Sequence, residues 1–554
     1  MPHRIADTML FMCLISLPLF GMTQACGSDA PPWPDTLGDG GQGGGPEPPP
    51  GDNHAPVAVL SVVGPEEGPT PFTAHLDGSA SYDPDGDPLE YLWVLSDGAS
   101  YVESVIQHEF VSSGRHQARL VVTDPHGLAD EAGPSIIYCW GLANSPWPKF
   151  AHDQRNSGVS PNVGPMMDLE HADQGGAFPR YWRGGIQNSR VSAVCVGYDG
   201  LVIYTQGSWL RARTSDGGTV WDTELDSTIT AWPAVMHDGS ILLGTKSGWL
   251  YRVDQQGEVI WRNSSAADLG MPTLGPSINI GNDGSSYVAA CNSDPEAEVY
   301  PGLLLAFDRD GECLWSLNVP SCSTELFWDV SSLVPAITPS GGIVLNGRPG
   351  YLITAGGHTA VDLSFPFDQP SSPCFLGPPS ISDAGLIAFT NQKCPVFHPD
   401  GTPHTELFTG HYKPEDSYLS IYFYCGYAYA PVWGTFGVSQ LAAADHDLQT
   451  FFFVNTRTIG GAEHRLQYGP PAEGSQRHWV MRGASQDGMG RLYVSCLGLH
   501  AISPTVYDKE YPYAPRRYSL WSYTRPSTHM TAPVIGDDGW LYLGYGNDIL
   551  AIGD

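Results

Sequence analysis

The sequence predicts an all-β protein in which a small β-sandwich is followed by a β-propeller of four-stranded blades. Gly and Pro are abundant, with 65 and 48 residues, and only 15% of the 554 residues are charged, a balance typical of turn-rich β proteins. Short alternating apolar stretches bounded by turn residues fill residues 54–139. From about residue 145, a pattern of strands and Asp-Gly turns repeats along the chain.

The charge of the chain excludes one class of partner. It carries 59 acidic and 26 basic residues, a net charge of −33. The negative electrostatic potential of such a chain repels nucleic acid and anionic lipid, so we expect no nucleic-acid partner. A solvated acidic surface is the simple interpretation, and a patch that captures cations or a basic partner is the alternative.

The first 25 residues are predicted to be a signal peptide. Residues 8–22 form an apolar run that is too short for a typical spanning helix. Thr23 and Ala25 fit ordinary signal-peptidase cleavage. Cys26, which follows a small residue, also resembles the lipidated cysteine of the bacterial lipobox, although that motif usually has Leu where Thr23 stands. We predict lipidation at Cys26, with free secretion as the alternative.

A flexible tether follows the predicted signal. Residues 26–53 are a Pro/Gly-rich linker with almost no aliphatic side chains, so they cannot offset the entropy of folding. Because no other segment is long and apolar enough to span a membrane, any anchoring would be by lipid alone. We expect an exported protein, anchored in the outer membrane as a lipoprotein or located at the cell surface or in the periplasm.

Residues 54–139 predict the sandwich, and specific residues give it a family resemblance. Trp93 is placed as a buried core residue, Phe110 and Gly114 form a Phe-x-x-x-Gly corner, and Val122 and Asp124 form a Val-x-Asp strand end. In these features the segment resembles the PKD domain, an immunoglobulin-like module of bacterial surface proteins. The resemblance implies a spacer or adhesive module rather than an enzyme.

Alternating carboxylates in this segment predict a calcium site. Asp83, Asp85 and Asp87 lie on the turn DPDGD, and carboxylate oxygens are ligands that Ca²⁺ prefers. Asn53 and Asp124 could join them, as some PKD-like domains bind calcium near this end. The alternative is that Asp and Gly only shape the turn.

The repeat after residue 145 predicts the blades. The first turn of each unit is expected at the dipeptides 199–200, 238–239, 283–284, 340–341, 383–384, 487–488 and 538–539, and a closing Trp at positions 221, 261, 315 and 521. The double gap between 383 and 487 places one degenerate unit near residues 431–447. That makes eight blades, with a seven-bladed ring as the alternative.

The two ends of the repeat predict how the ring closes. The last unit has three strands, so its fourth should come from before the first unit, near residues 180–185. In its blade pattern, and in the opening WPKFAHDQRNSGVSP at residues 147–161, the domain, predicted to span 145–554, resembles the PQQ-like (quinoprotein-type) propeller.

We find no catalytic or cofactor-binding residues to assign in the propeller. Quinoprotein dehydrogenases carry a disulfide between adjacent cysteines, and no two cysteines are neighbours here. No CxxCH haem motif, P-loop, HExxH or nucleophile elbow occurs. Bound PQQ is therefore not expected. Cys313 with Cys322, or Cys374 with Cys394, would suit a disulfide.

These observations predict a non-enzymatic binding or scaffold protein of the cell envelope or surface. Its propeller would present a face to a protein or glycan, and the PKD module and tether would hold it away from a membrane. The aromatic stretch 417–433 could form core strands or a platform for sugar rings or a peptide. The alternative is an enzyme, either a quinoprotein-type oxidoreductase or a polysaccharide-acting hydrolase, that uses the propeller funnel.

Overall fold

The computed structural model describes residues 53–165, 181–182, 189–291, 301–320, 333–346, 350–357, 359–363, 378–382, 385–389, 395–406, 422–424, 427–434, 438–444, 451–455, 483–489, 491–495, 499–502, 519–523 and 530–553. Cys26, the predicted signal peptide and the linker up to residue 52 lie outside the described residues. The chain divides into two compact units, residues 1–53 and 54–554. All elements below belong to the second unit.

The predicted sandwich is confirmed as two sheets. One has the order β1-β3-β6 and the other β2-β8-β7-β4-β5. Its strands are β1 (Ser61–Val62), β2 (Glu67–Pro69), β3 (Phe72–Asp77), β4 (Glu90–Leu95), β5 (Ser100–Tyr101), β6 (Val105–Phe110), β7 (Gly114–Thr123) and β8 (Ala129–Trp140). All pairs are antiparallel except β2 with β8, which is parallel.

The core of the sandwich contains the residues that the sequence singled out. Trp93, Phe110 and Val122 are fully buried in one cluster. The indole of Trp93 donates a hydrogen bond of 2.8 Å to the carbonyl of Glu103, so its one polar group is satisfied. Side chains alternate between buried and exposed along β4 and β7, as expected of strands with one face in a core.

Eight four-stranded antiparallel sheets follow in the described residues, in up-and-down order. The first is β10 (Val191–Val196), β11 (Val202–Gln206), β12 (Trp209–Arg213) and β13 (Thr219–Glu224); the second is β14 (Ala234–Val235), β15 (Ile241–Gly244), β16 (Leu250–Val253) and β17 (Val259–Asn263). The third is β18 (Thr273–Ile280), β19 (Ser286–Cys291), β20 (Pro301–Phe307) and β21 (Cys313–Pro320); the fourth is β22 (Pro335–Ile337), β23 (Ile343–Leu345), β24 (Gly350–Ile353) and β25 (Ala360–Leu363). A short helix, α1 (Ser265–Asp268), lies between the second and third sheets.

The remaining four sheets complete the repeat. The fifth is β26 (Pro379–Ile381), β27 (Ile387–Phe389), β28 (Pro395–Phe397) and β29 (Pro403–Glu406); the sixth is β30 (Tyr422–Tyr424), β31 (Tyr427–Gly434), β32 (Val438–Ala444) and β33 (Phe451–Asn455). The seventh is β34 (Gly483–Gln486), β35 (Leu492–Ser495), β36 (Leu499–Ile502) and β37 (Ser519–Tyr523). The eighth is β38 (Val534–Ile535), β39 (Leu541–Tyr545), β40 (Asp548–Ile552) and β9 (Tyr181–Trp182). The predicted degenerate unit is the sixth sheet.

The strand taken from before the first unit is confirmed. β9 pairs with β40 in the register Trp182 with Ile549 and Tyr181 with Leu550. β10 of the first sheet also packs against β38 and β39 of the eighth. A continuous apolar cluster spans the first, seventh and eighth sheets, so the two ends of the repeat meet. The predicted propeller class is confirmed, and the count of eight blades in one ring stays a prediction.

At several Asp-Gly turns between the first and second strands of a sheet, the Asp caps its own turn. The Asp238 carboxylate accepts hydrogen bonds from the amide and hydroxyl of Ser240, and Gly239 adopts φ +83°. A residue without a Cβ suits that left-handed conformation. Asp283 and Asp538 repeat the arrangement in two other sheets. The expected turn at 383–384 lies outside the described residues.

The closing Trp of one sheet packs on a turn of the next. The rings of Trp221, Trp261 and Trp315 lie against the glycines of the turns between the third and fourth strands of the following sheets, which are Gly257, Gly311 and Gly357. The sequence pattern of a Trp at each blade end is thus a packing device between blades. Cys313 is free and exposed. Its expected partner Cys322, like Cys374 and Cys394, lies outside the described residues, so the disulfides stay predictions.

Candidate functional site

The connection between sandwich and propeller, residues 141–164, is a strap that crosses one end of the ring of sheets. It makes backbone hydrogen bonds to the first strands of five sheets, through the pairs Ala143–Val235, Trp147–Val196, Gln154–Ile337, Arg155–Ile381 and Gly158–Gln486. Each partner is the last residue of its strand. The strap therefore covers the end of the ring that carries the turns between first and second strands.

A fully buried lysine holds the strap in shape. The ammonium of Lys149 donates to the carbonyl oxygens of Phe150 and Asp153, at 2.7 and 3.0 Å, and to Oδ1 of Asn156 at 2.6 Å. The Asn156 amide donates in turn to the carbonyls of Pro335 and Pro379, at 3.1 and 3.2 Å. Burial lowers the pKa of Lys149 to about 7. One cation thus links the strap to the fourth and fifth sheets.

The sandwich docks on the same end of the ring. The backbone amide of Arg115, at the start of β7, donates 2.9 Å bonds to Oη of Tyr198 and to Oδ1 of Asn144. The Arg115 guanidinium lies 4.4 Å from the centre of the Tyr198 ring and pairs with Asp199 at 2.9 Å. Tyr198 and Asp199 belong to the turn between the first and second strands of the first sheet. Burial raises the pKa of the Tyr198 hydroxyl above its usual range.

Two further contacts join the sandwich to the third sheet. The amide of Thr70 donates a 2.8 Å bond to the carbonyl of Asn282. Arg309, on the turn between the third and fourth strands, pairs with Glu67 at 2.7 Å and stacks 4.4 Å over Trp140. The junction therefore combines backbone hydrogen bonds, two ion pairs and two cation–π contacts.

The predicted calcium residues lie at the other end of the sandwich. β7 runs from Gly114, at the propeller, to Thr123, and its 10 residues span roughly 30 Å. Asp124 follows it, and Asp85 lies close enough for the Asp124 charge to affect its pKa. We call the turn 83–87 with Asp124 the acidic pole. His54, the first residue of this unit, also lies there, because its amide donates a 2.7 Å bond to Asp85.

Several oxygens of the acidic pole already accept hydrogen bonds. Oδ1 of Asp83 accepts from the amides of Asp85 and Asp87, at 2.7 and 3.3 Å. Oδ1 of Asp124 accepts from the amides of His126 and Leu128, at 2.8 and 2.9 Å. The hydrogen bonds from the His54 amide and side chain lower the pKa of Asp85.

One oxygen of this pole is left over. Oδ2 of Asp83 is buried and has no hydrogen-bond partner in the part of the chain described. The oxygen chemistry of the pole fits Ca²⁺, but no group of three His, Cys, Asp or Glu residues converges on one point among the described residues. Asn53 belongs to the first unit. Calcium binding by Asp83, Asp85, Asp87, Asn53 and Asp124 stays a prediction.

Sequence reasoning missed the residues that assemble this end of the molecule. Lys149 lies within the segment 147–161 that marked the start of the propeller, but no periodic pattern reveals that its ammonium is buried. Arg115 lies 84 positions from its partner Asp199, and Arg309 lies 242 positions from Glu67, so only the tertiary structure brings these groups to one junction. Within the described residues, no helix is long and apolar enough to cross a membrane.

Comparison with known proteins finds one matching family and several similar solved structures. The PKD domain family matches residues 53–135. The chain is similar to BamB from Moraxella catarrhalis at 12% identity and a TM-score of 0.45, over 67% of this chain and 97% of that chain. It is similar to the PKD1 domain of Vibrio anguillarum Epp at 21% identity and a TM-score of 0.14, over 16% of this chain and 98% of that one. The Dos1 propeller matches at 11% identity and a TM-score of 0.35, over 90% of this chain and 95% of its own.

No curated protein matches the sequence. The family match covers the sandwich, and the sheets that follow it repeat in the way that blades do. Residues 53–135 are a PKD domain, and the sheets that follow it form a β-propeller.

Proposed function

We propose that this protein is a non-catalytic binding or scaffold protein of the cell envelope or cell surface, whose propeller presents a binding face to a protein or glycan. The observation that carries this proposal is that one end of the ring is covered by other parts of the chain and the other end is not. The PKD domain and the strap cover the end with the turns between first and second strands. The opposite end, with the turns between second and third strands, is left for a partner.

The position of the acidic pole supports a role of the PKD domain as a spacer between the linker and the propeller. His54 lies at that pole, roughly 30 Å along β7 from the propeller. The linker predicted at residues 26–53 precedes His54, so it joins the PKD domain at the end away from the propeller. A lipid on Cys26 would then hold the open end of the propeller away from the membrane.

Residues at the open end have the chemistry of protein interfaces. Trp249, just before β16, is partly exposed, and the guanidinium of Arg262 lies 4.6 Å from its ring centre. Leu269, just after α1, is 51% exposed, and Lys246 is exposed on the turn between the second and third strands of the second sheet. Trp and Arg are enriched in binding surfaces because they combine apolar area with directed polar groups.

Site-specific photo-crosslinking tests which end binds. A photoreactive amino acid replaces Lys246 at the open end or, as the matched control, the exposed Gln256 on the turn between the third and fourth strands of the same sheet. We expect irradiated cells to give a discrete crosslinked product only from position 246. Products from position 256 alone would overturn the assignment of the open end.

Lipid anchoring and the absence of catalysis are tested by two further experiments. Metabolic palmitate labelling of the wild type and of Cys26→Ala tests the lipid anchor, and label that persists in the variant would contradict lipidation at Cys26.

Incubation of purified protein with PQQ, an alcohol or sugar and a redox dye tests the enzyme alternative. We expect no dye reduction above the rate of free PQQ, and reduction above that rate would overturn the non-catalytic role.

A further inference from the structure

A cavity of about 800 Å³ lies where the PKD domain, the strap and the propeller meet. Its volume is in the range of small-molecule sites, about 300–1,000 Å³. The PKD domain contributes Thr70 and Ser112, and the third and fourth sheets contribute Asn282, Asp283 and Thr338. The strap contributes residues 142–145, 148, 152–155 and 161. Domain junctions are frequent places for ligand sites, because two rigid bodies leave a cleft between them. This cavity is separate from the open end of the propeller.

The side chains in its wall are mostly neutral hydrogen-bonding groups. Thr70, Ser112 and Thr338 bring hydroxyls, and Gln154 and Asn282 bring carboxamides. Both kinds of group donate and accept. Prolines 69, 148, 161 and 339 add rigid apolar surface between them. This mixture suits a ligand that has hydroxyl groups and also C–H faces.

The charges in the wall exclude an anionic ligand. Asp283 and Asp153 are acidic, and Arg155 already pairs with Asp153 at 3.5 Å. Asp153 also accepts from the amide and hydroxyl of Ser157. No unpaired cation therefore faces the cavity from the described residues, and the net charge of −33 repels anions further.

One wall is built from strained backbone. Ala151 and His152 are consecutive non-glycine residues with φ of +54° and +73°. Such conformations cost about 1–3 kcal/mol each and cluster where structure is shaped for a site. His152 hydrogen-bonds the carbonyl of Pro146, and burial lowers its pKa to about 4. Its Nδ1 is buried and has no hydrogen-bond partner among the residues described.

We propose that this junction cavity is a binding site for a short neutral glycan. Hydroxyl groups of such a ligand can accept from Ser112 and can donate to Asp283 and to the oxygen of Thr70, whose own hydrogen bonds the carbonyl of Trp140. The C–H faces of its rings would lie on the prolines. Because both domains supply walls, an occupied cavity also fastens the PKD domain to the propeller.

Ligand-observed saturation-transfer NMR on the protein expressed from the full chain tests the site. The probes are cellobiose, maltose and N,N′-diacetylchitobiose, with trialanine as a neutral peptide probe. Ser112→Trp fills the cavity from the PKD side and Ala355→Trp from the fourth sheet, since both residues line it and are exposed. Val111→Trp is the matched control, because Val111 is the neighbouring residue, is 73% exposed and does not line the cavity.

We expect saturation transfer to at least one disaccharide, weakened about tenfold or more by either cavity-filling variant and unchanged by Val111→Trp. Transfer to trialanine alone would overturn the glycan class. No transfer to any disaccharide, or transfer that Ser112→Trp and Ala355→Trp leave intact, would overturn the site. Neither of these results affects the open end of the propeller, which the photo-crosslinking experiment tests independently.

Discussion

Lys149 is a residue whose chemistry is set entirely by its surroundings. Its ammonium is 0% exposed and is surrounded by three oxygen acceptors of the strap. A buried cation is tolerated only when its donors are used, because desolvation penalises the charged form. The three bonds explain why a strap without regular secondary structure keeps one shape.

Replacing Lys149 by Met should destabilise the propeller. Lys149→Met keeps the apolar stem but leaves Oδ1 of Asn156 and the carbonyl of Phe150 without a donor, while the carbonyl of Asp153 keeps the amide of Asn156. Buried acceptors that lose a partner cost about 1–3 kcal/mol each, and relief of the lysine's own desolvation offsets part of this. We expect a loss on the order of 3 kcal/mol in the free energy of unfolding by urea titration. A variant as stable as the wild type would show that the ammonium does not hold the strap.

Because the pKa of Lys149 is lowered, the difference in unfolding free energy between the wild type and Lys149→Met should depend on pH. The pKa is about 7 in the folded protein, against an ordinary value of 10.5. Between these values the unfolded chain binds a proton that the folded protein does not, so stability rises with pH across this window. Below about 7 both states are protonated and the contribution no longer changes. From pH 7 to 10 we expect wild-type stability to rise relative to Lys149→Met by up to about 1.4 kcal/mol per unit. Parallel profiles would mean that Lys149 titrates normally.

Gly257 shows how one missing Cβ lets two blades meet. A Cβ there would lie 2.8 Å from the Trp221 ring, and the glycine adopts φ +88°. Gly270 also has a positive φ, +77°, but no atom lies within 4 Å of its would-be Cβ. Gly270→Ala therefore measures left-handed strain alone, about 1 kcal/mol. We expect Gly257→Ala to cost about 1–3 kcal/mol more in thermal or urea unfolding, because the ring must move. Equal losses would show that the Trp221 contact is not tight.

At the scale of elements, the DPDGD turn is where a ligand would change stability. Oδ2 of Asp83 is buried without a partner among the described residues, so a bound Ca²⁺ would satisfy it. Excess calcium at about 100 times its Kd should add about 2.7 kcal/mol to the free energy of unfolding. Asp83→Asn should lose that gain, because an amide supplies a weaker oxygen. The measurement is the melting temperature with calcium and with chelator, and Ser79→Ala, outside this turn, is the control. Equal melting temperatures of the wild type in the two conditions would exclude the site.

Elements with a local signal were predictable from the sequence. Asp238 and Gly239 predict their turn because the capping residue and the residue with a left-handed conformation are adjacent in the chain. The strand Tyr181–Trp182 could be assigned to the last sheet because the final unit lacked one strand. The strap gave no such signal, because its hydrogen bonds go to strands that are up to several hundred residues away. Its role depends on where the ring places those strands.

At the scale of the whole molecule, the sequence describes two domains but not how they are joined. The sequence of the PKD segment predicts a spacer, and a spacer alone would be free to move relative to the propeller. The structure instead docks it on the first and third sheets through Arg115, Thr70 and Arg309. These contacts depend on matching two surfaces, and neither surface has a pattern along the chain. A docked PKD domain acts as a fixed stalk, and this gives the open end of the propeller a defined direction.

The junction should loosen when its two arginines are removed. The Arg115 side chain is 25% exposed with Asp199 at 75%, and Arg309 is 34% exposed with Glu67 at 42%. Partly exposed ion pairs contribute only about 0–1 kcal/mol each, so the stacking of both guanidiniums on Tyr198 and Trp140 must supply further energy. Arg115→Ala with Arg309→Ala removes both kinds of contact and leaves each core intact.

We expect the double variant to show a larger radius of gyration in small-angle X-ray scattering, while both domains stay folded by circular dichroism. Arg119→Ala is the matched control, because Arg119 pairs with Glu131 within the PKD domain and at similar exposure, 50% and 48%. It should scatter like the wild type. Raising the salt concentration should expand the wild type less than the double substitution does, because salt screens the ion pairs but leaves the stacked rings in place. If the double variant scatters like Arg119→Ala, the backbone hydrogen bonds of Thr70 and of position 115 hold the stalk without the arginine side chains.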